Sequence, residues 1–213
     1  MSTELKAARA ERLCGNYARD LGELYSVVRI KLAWYSIIRT ESRQVSVKFF
    51  QIDTGKVDLE VTTTTDDFKP YLDPLMREIV RNFINDIFNA TCEFNIYLRN
   101  LLIGKADVFD YNDDKVEAAI QLSNKFLPKE GRQFIEFFRL VRNSMVHHGG
   151  RHNKKNQLHH DFEGRRFETT DAALSQPIPF YLSEVLAFYT RALEFMSYKS
   201  LLKNPHFAKL IAQ

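Results

Sequence analysis

Apolar residues in this chain change their spacing along its length, and each change marks a different element. Between residues 3 and 40, Leu24, Val27, Val28, Leu32, Tyr35 and Ile38 recur mostly at steps of three and four. That is the stripe of an amphipathic helix, read as one long helix or two in succession. Residues 44–65, QVSVKFFQIDTGKVDLEVTTTT, alternate instead. They are rich in β-branched side chains around Asp53-Thr54-Gly55, which predicts a β-hairpin. Helical spacing returns near Pro74 and runs to about Gly104, with Ile79, Phe83, Ile87, Cys92, Phe94, Leu98 and Leu101 on one side. A shorter helix over DKVEAAIQLSNKFL follows the polar turn DYNDD, capped by Asn112 or Asp113. After the break LPKEG, a further helix starts near Gly131 and runs to Gly149. Residues 149–177 are polar, and QLHHDFEGRRFETT within them predicts a second short hairpin turning at Glu163-Gly164. The last long helix spans about Pro179 to Leu202, and a short terminal helix or turn follows Asn204-Pro205.

These elements predict a mainly α fold. Four or five long helices bundle around one core in a single domain over 1–213, with two small β-hairpin insertions at about 44–65 and 157–170. With 45% hydrophobic and 27% charged residues, the chain has enough apolar content for such a core, and its 17 Phe and 9 Tyr point to an aromatic filling. No apolar run approaches the ~18 residues of a membrane span. The start, MSTELKAARAERL, lacks the apolar stretch of a signal peptide. A cytoplasmic protein with no membrane partner is therefore expected. Cys14 and Cys92 are far apart in helical segments and read as reduced, buried thiols. Asp53-Thr54-Gly55 also matches the triplet of aspartic proteases. Here it sits in a turn between polar-faced strands, without a second active-site half, and is read as a hairpin turn.

Candidate chemistry gathers on the helix GRQFIEFFRLVRNSMVHHGG. Phe134, Phe137, Phe138, Val141 and Met145 form its core face. Arg132, Glu136, Arg139, Asn143 and His147 form an opposite polar ridge, also at steps of three and four. Arg142 lies about 100° from Asn143 around the helix, so it can reach His147 only from the flank. Gly149 and Gly150 suit a left-handed stop just after the histidines. Positive charge concentrates here. Residues 131–166 hold Arg132, Arg139, Arg142, Arg151, Lys154, Lys155, Arg165 and Arg166 against Glu136, Asp161 and Glu163, a balance of 8 − 3 = +5 where the whole chain is +3. Five of the six histidines, His147, His148, His152, His159 and His160, share the window. Such a patch suits a phosphate backbone, though charge clusters in loops more often serve only solubility. A metal site is disfavoured, because adjacent His147 and His148 point apart on a helix and no HExxH spacing exists.

The run Arg142-Asn143-Ser144-Met145-Val146-His147, with apolar Val146 before the histidine and Gly149 soon after it, resembles the HEPN superfamily. Its signature is an arginine, an adjacent polar residue and a histidine a few positions on, near the end of a helix in an α-helical bundle. The close match covers Val141–Gly150, and the helical context extends it loosely to the rest of the chain. The resemblance implies a metal-independent endoribonuclease, without cofactor, that acts as a homodimer. Two copies of the motif would meet to form one composite site. It implies His147 as general acid or base, Arg142 as the stabiliser of charge on the scissile phosphate, and Asn143 as the group orienting the imidazole or a phosphate oxygen. An imidazole's ordinary pKa near 6.5 suits both proton transfers at neutral pH. RNA contacts are expected from Arg139, His148, Arg151, Lys154, Lys155, Arg165 and Arg166. The resemblance further implies a toxin or phage-defence component under a cognate antitoxin or regulatory protein. One toxin group of the family carries a tyrosine two residues after the histidine; here that position is Gly149, so modification there is excluded. The alternative within the family is a non-catalytic helical dimer that binds RNA or another protein.

Overall fold

A computed structural model describes residues 3–50, 57–102, 127–178 and 180–212 of the 213. In chain order its elements are α1 (Thr3–Thr40), β1 (Gln44–Phe50), β2 (Val57–Thr64), a 3-10 turn (Thr65–Tyr71), α2 (Leu72–Leu102), α3 (Lys129–His147), β3 (His159–Phe162), β4 (Arg165–Glu168), a second 3-10 turn (Asp171–Ala173), α4 (Leu182–Phe195), α5 (Tyr198–Leu202) and α6 (Pro205–Ile211). The fold is a mainly α bundle with two small antiparallel hairpins. The helix expected over DKVEAAIQLSNKFL lies outside the described residues but for Leu127, as does the Asp53-Thr54-Gly55 turn. Among the described residues no helix is long and apolar enough to cross a membrane. Contacts divide the chain into two units, one of Met1–Tyr25 with Arg81–Gln213, the other Ser26–Val80.

The larger unit is built around phenylalanine. α3 presents Phe134, Phe137 and Phe138, all buried, and α4 inserts Phe188 among them. Phe188 lies 4.8 Å from Phe138 and 4.7 Å from Phe162 between ring centroids. Phe88 of α2 meets Phe138 edge-on at 5.4 Å. α1 joins through Tyr17, whose ring lies 4.7 Å from Phe94 and whose hydroxyl bonds Thr91 at 2.7 Å. Tyr25 stacks on Tyr189 of α4 at 4.4 Å. Rings in these tilted and edge-on arrangements contribute beyond the area they bury.

The hairpin β3–β4 covers this core. Phe162 and Phe167 point inward with both rings 5.2 Å from Phe137, while His160 lies flat on Phe137 at 4.7 Å. The turn forms where expected: Glu163 (φ 49°) and Gly164 (φ 76°) both take the left-handed conformation of a two-residue hairpin loop. Glu163 is held there by Arg191 of α4 at 2.8 Å. A second tie is better protected. Arg165 Nε lies 2.8 Å from the buried Glu184 carboxylate, and its guanidinium is sandwiched between the Phe167 and Tyr181 rings at 4.4 and 4.7 Å. Glu184 also accepts the Tyr181 N–H at 2.7 Å, satisfying the first turn of α4. Arg165→Ala would strand that buried carboxylate, at a cost of about 2 kcal/mol. Urea unfolding of the variant measures it. A loss below about 0.5 kcal/mol would mean the pair behaves like an exposed one.

The final helical region differs from expectation. In place of the single helix expected from Pro179 to Leu202, α4 starts at Leu182 and stops at Phe195, and α5 starts at Tyr198. Ser197 takes an extended backbone (ψ 144°), and its side chain accepts the Ser200 N–H. A serine that can cap a new helix competes with continuing the old one. Asn204 caps α6 in the same way, with Pro205 in the first turn.

In the smaller unit β1 and β2 pair from Gln44↔Thr64 to Phe49↔Leu59, and a bulge shifts the register before Phe50↔Val57. Buried Thr65 closes the base, bonding the Glu41 carbonyl at 2.5 Å and the Arg43 backbone in both directions. Asp67 accepts from Thr63 Oγ1 and the Thr64 N–H, which hold its carboxyl below the usual carboxylate range. Of the stripe expected on α1, Val28 is buried and Leu32, Tyr35 and Ile38 are half-buried. Val27 corrects the reading: it stands exposed with Ile30 and Trp34. The cause is that apolar residues occupy more than one face of this part of α1, and the described contacts cover only one of them.

Candidate functional site

The site forms where α3 ends. The Ser144 carbonyl accepts both the His148 N–H at 3.0 Å and the Gly150 N–H at 2.9 Å, closing the last turn. Gly149 (φ 58°) and Gly150 (φ 74°) then turn the chain away. Both angles favour glycine, and a Cβ on Gly150 would also crowd the Met145 sulfur at 3.2 Å. The chain is pinned back by Asn156, which is buried and donates to the Leu140 carbonyl and to Ser144 Oγ, each at 2.6 Å. His147 is thus left exposed at the rim of the helix end.

Arg142, Asn143 and His147 come together. Arg142 Nη1 lies 3.2 Å from Asn143 Oδ1 and 3.3 Å from His147 Nε2. The arginine reaches the ridge from the flank, as its position around the helix required. A guanidinium only donates, so Nε2 accepts, which assigns the ring proton to Nδ1. Sequence reasoning missed a fourth member, Asn85 of α2, whose Oδ1 accepts from Arg142 Nε at 3.2 Å. Fifty-seven positions separate the two, and no local pattern distinguishes Asn85 from the other polar positions on α2. Phe88, one turn further along α2, lies 5.8 Å below the guanidinium carbon.

The expected RNA-contacting residues stand in different surroundings. Arg139 is engaged with Glu136 of its own helix through two bonds of 3.1 and 2.6 Å. Arg165 is committed to Glu184. Arg166 reaches Asp161 at 3.2 Å and the His159 ring. The hairpin carrying both packs on Phe137, ten residues and so ~15 Å along α3 from His147. Nearer the helix end, His148 is half-buried, with its ring 6.4 Å from that of His147. Arg151 is exposed and donates to the Ser175 carbonyl at 2.7 Å, and Lys154 and Lys155 are exposed on the following turn. Among the described residues no three His, Cys, Asp or Glu side chains gather as a metal ion would need. A cavity of about 440 Å³ between α1 and α2, lined by Arg9, Arg12, Tyr17 and Phe94 among others, shares no residue with the cluster.

Two histidines of the window serve the fold instead. His152 is buried with Nδ1 2.9 Å from Thr169 Oγ1, and burial holds its pKa below the ordinary value. His160 on Phe137 is likewise lowered, by burial first, with Asp161 opposing and Arg166 adding. Both sites favour the neutral ring, so below the ordinary pKa near 6.5 the unfolded chain binds more protons than the folded one. Stability should be full above about pH 7 and be lost as pH falls through 6.5 towards the lowered folded values. The urea midpoint at about pH 8 against about pH 5.5 reads this, and an unchanged midpoint would show that both rings protonate freely in the fold. Cys14 and Cys92 are buried thiols pushed up to about 12, chiefly by burial, and hence inert. No protein-family model, curated protein or solved structure gives a significant match to this chain.

Proposed function

We propose that the chain is a HEPN-type, metal-independent endoribonuclease whose site is completed by a second copy of itself. One observation carries this reading: a single guanidinium nitrogen of Arg142 contacts both Asn143 and His147 at an exposed helix end. In the reaction, neutral His147 removes the proton of an RNA 2′-hydroxyl. The 2′-oxygen attacks phosphorus, the bond to the 5′-oxygen breaks, and the His147 of the second copy, starting as the imidazolium with both ring nitrogens protonated, gives its proton to that oxygen, so one ring gains the proton the other loses. A cyclic phosphate remains on one fragment. Arg142 faces the negative charge that grows on the phosphate oxygens. Arg151, Lys154 and Lys155 are placed to meet neighbouring phosphates. Arg165, paired with buried Glu184, is the least available of the expected contacts, whereas the exposed pairs Arg139–Glu136 and Arg166–Asp161 can exchange their carboxylate for a phosphate. In a toxin or defence setting, a regulatory partner would restrain the activity by covering this helix end.

The experiment is cleavage of RNA in EDTA by the wild type, Arg142→Ala and His147→Ala, with the solution mass measured alongside. Equal cleavage by all three proteins would remove the assignment, and a strict monomer that cleaves would remove the composite site. RNA binding without cleavage by the wild type assigns the chain to the non-catalytic alternative.

A further inference from the structure

We infer that Asn85 is a positioning residue for Arg142, and that it leaves the Nη2 edge of the guanidinium as the one that meets a phosphate oxygen. The inference rests on the ribonuclease reading above. Arginine has five N–H donors: one on Nε, two on Nη1 and two on Nη2. Asn85 Oδ1 takes the Nε donor at 3.2 Å, while Asn143 Oδ1 and His147 Nε2 take Nη1 at 3.2 and 3.3 Å. Among the described residues nothing accepts from Nη2.

The anchors lie on opposite parts of the guanidinium rim, so together they fix its rotation in its own plane. Phe88 flanks the plane from below. Without Asn85, both Nη1 contacts remain possible from a range of side-chain torsions, and the guanidinium can swing about them. The arrangement also selects how an anion is met. A guanidinium grips two oxygens at once through Nε with Nη2, or through Nη1 with Nη2. Each of those forks has one prong already engaged here. A phosphate therefore meets Nη2 through one oxygen, and the two Nη1 bonds survive its arrival. His147 is held in place until its Nε2 exchanges the Nη1 donor for the RNA hydroxyl, since the ring's one free lone pair cannot serve both, while Asn85 and Asn143 keep the guanidinium in position.

Asn85→Leu keeps the side-chain size and removes the acceptor. Cleavage at saturating RNA should fall about 100-fold with KM little changed, because misplacement of a charge-stabilising group costs rate rather than binding. Asn85→Asp, which still accepts, should recover most of that rate. In an Arg142→Ala background Asn85→Leu should add nothing, since its target is gone. An Asn85→Leu enzyme with wild-type rate, or a double variant slower than Arg142→Ala by the full Asn85→Leu factor, would overturn the inference. A second readout does not depend on activity. The arginine Nε–H signal that disappears in the Arg142→Ala nitrogen–proton spectrum belongs to Arg142. Its exchange with water should be slow in the wild type and fast in Asn85→Leu. If the wild type cleaves no RNA, the functional reading fails, and this signal alone decides the positioning role: unchanged exchange in Asn85→Leu overturns it.

Discussion

His147→Ala should lower RNA cleavage by about three orders of magnitude, within the range that a positioned general acid or base supplies. In the composite site each copy contributes one imidazole, so the substitution removes both proton transfers together. Arg142→Ala should lose a comparable factor by a different route, through uncompensated charge on the phosphate. Arg142→Lys separates charge from shape. A lysine keeps the positive charge but carries its three donors on one nitrogen at the end of a flexible stem. It cannot occupy the positions of Nε against Asn85 and Nη1 against Asn143 and His147 simultaneously. Arg142→Lys should therefore recover little of the rate. Full activity in the lysine variant would reduce Arg142 to a point charge. Retained cleavage by His147→Ala would mean that another group moves the proton. Melting temperatures of all three variants should stay near wild type, because the side chain of His147 is exposed and that of Arg142 only half-buried.

The largest effect on the fold is expected at Phe188. It is fully buried and its ring lies within 6.2 Å of those of Phe134, Phe137, Phe138, Phe162 and Phe180. Phe188→Ala leaves a cavity bounded by rings on α3, on the β3–β4 hairpin and on the segment before α4, which cannot collapse without moving all three. The cost should be about 4 kcal/mol, and for a chain of this size the melting temperature should fall by about 10 °C. Phe188→Leu, which fills most of the volume, should lose less than half of that. Thermal unfolding followed by circular dichroism distinguishes the two. A fall of under about 3 °C in Phe188→Ala would show that the aromatic cluster repacks freely rather than as a fixed jigsaw. Because the same rings carry α3, a loosened core should also reduce cleavage at temperatures well below the melting point.

What could be read from the residues was what depends on near neighbours. The 3.6-residue period placed α2 and α3 to within a few residues, and the period-two stretch placed β1 and β2. Glu163-Gly164 and Gly149-Gly150 marked their turns because each needs a backbone that few residues adopt. The flank position of Arg142 relative to His147 followed from helix geometry alone, since both lie on one helix. At Ser197 a local competitor to the helical period, a side chain that caps a new helix, breaks the expected single helix in two. Tertiary structure decided the rest, because it depends on residues that are distant in the chain. It brought Asn85 onto Arg142 from another helix. It withdrew Arg165 from the basic patch into an ion pair with Glu184, which no count of charges could foresee. Net charge along a sequence is additive, but the availability of each cation depends on which carboxylate the fold sets beside it.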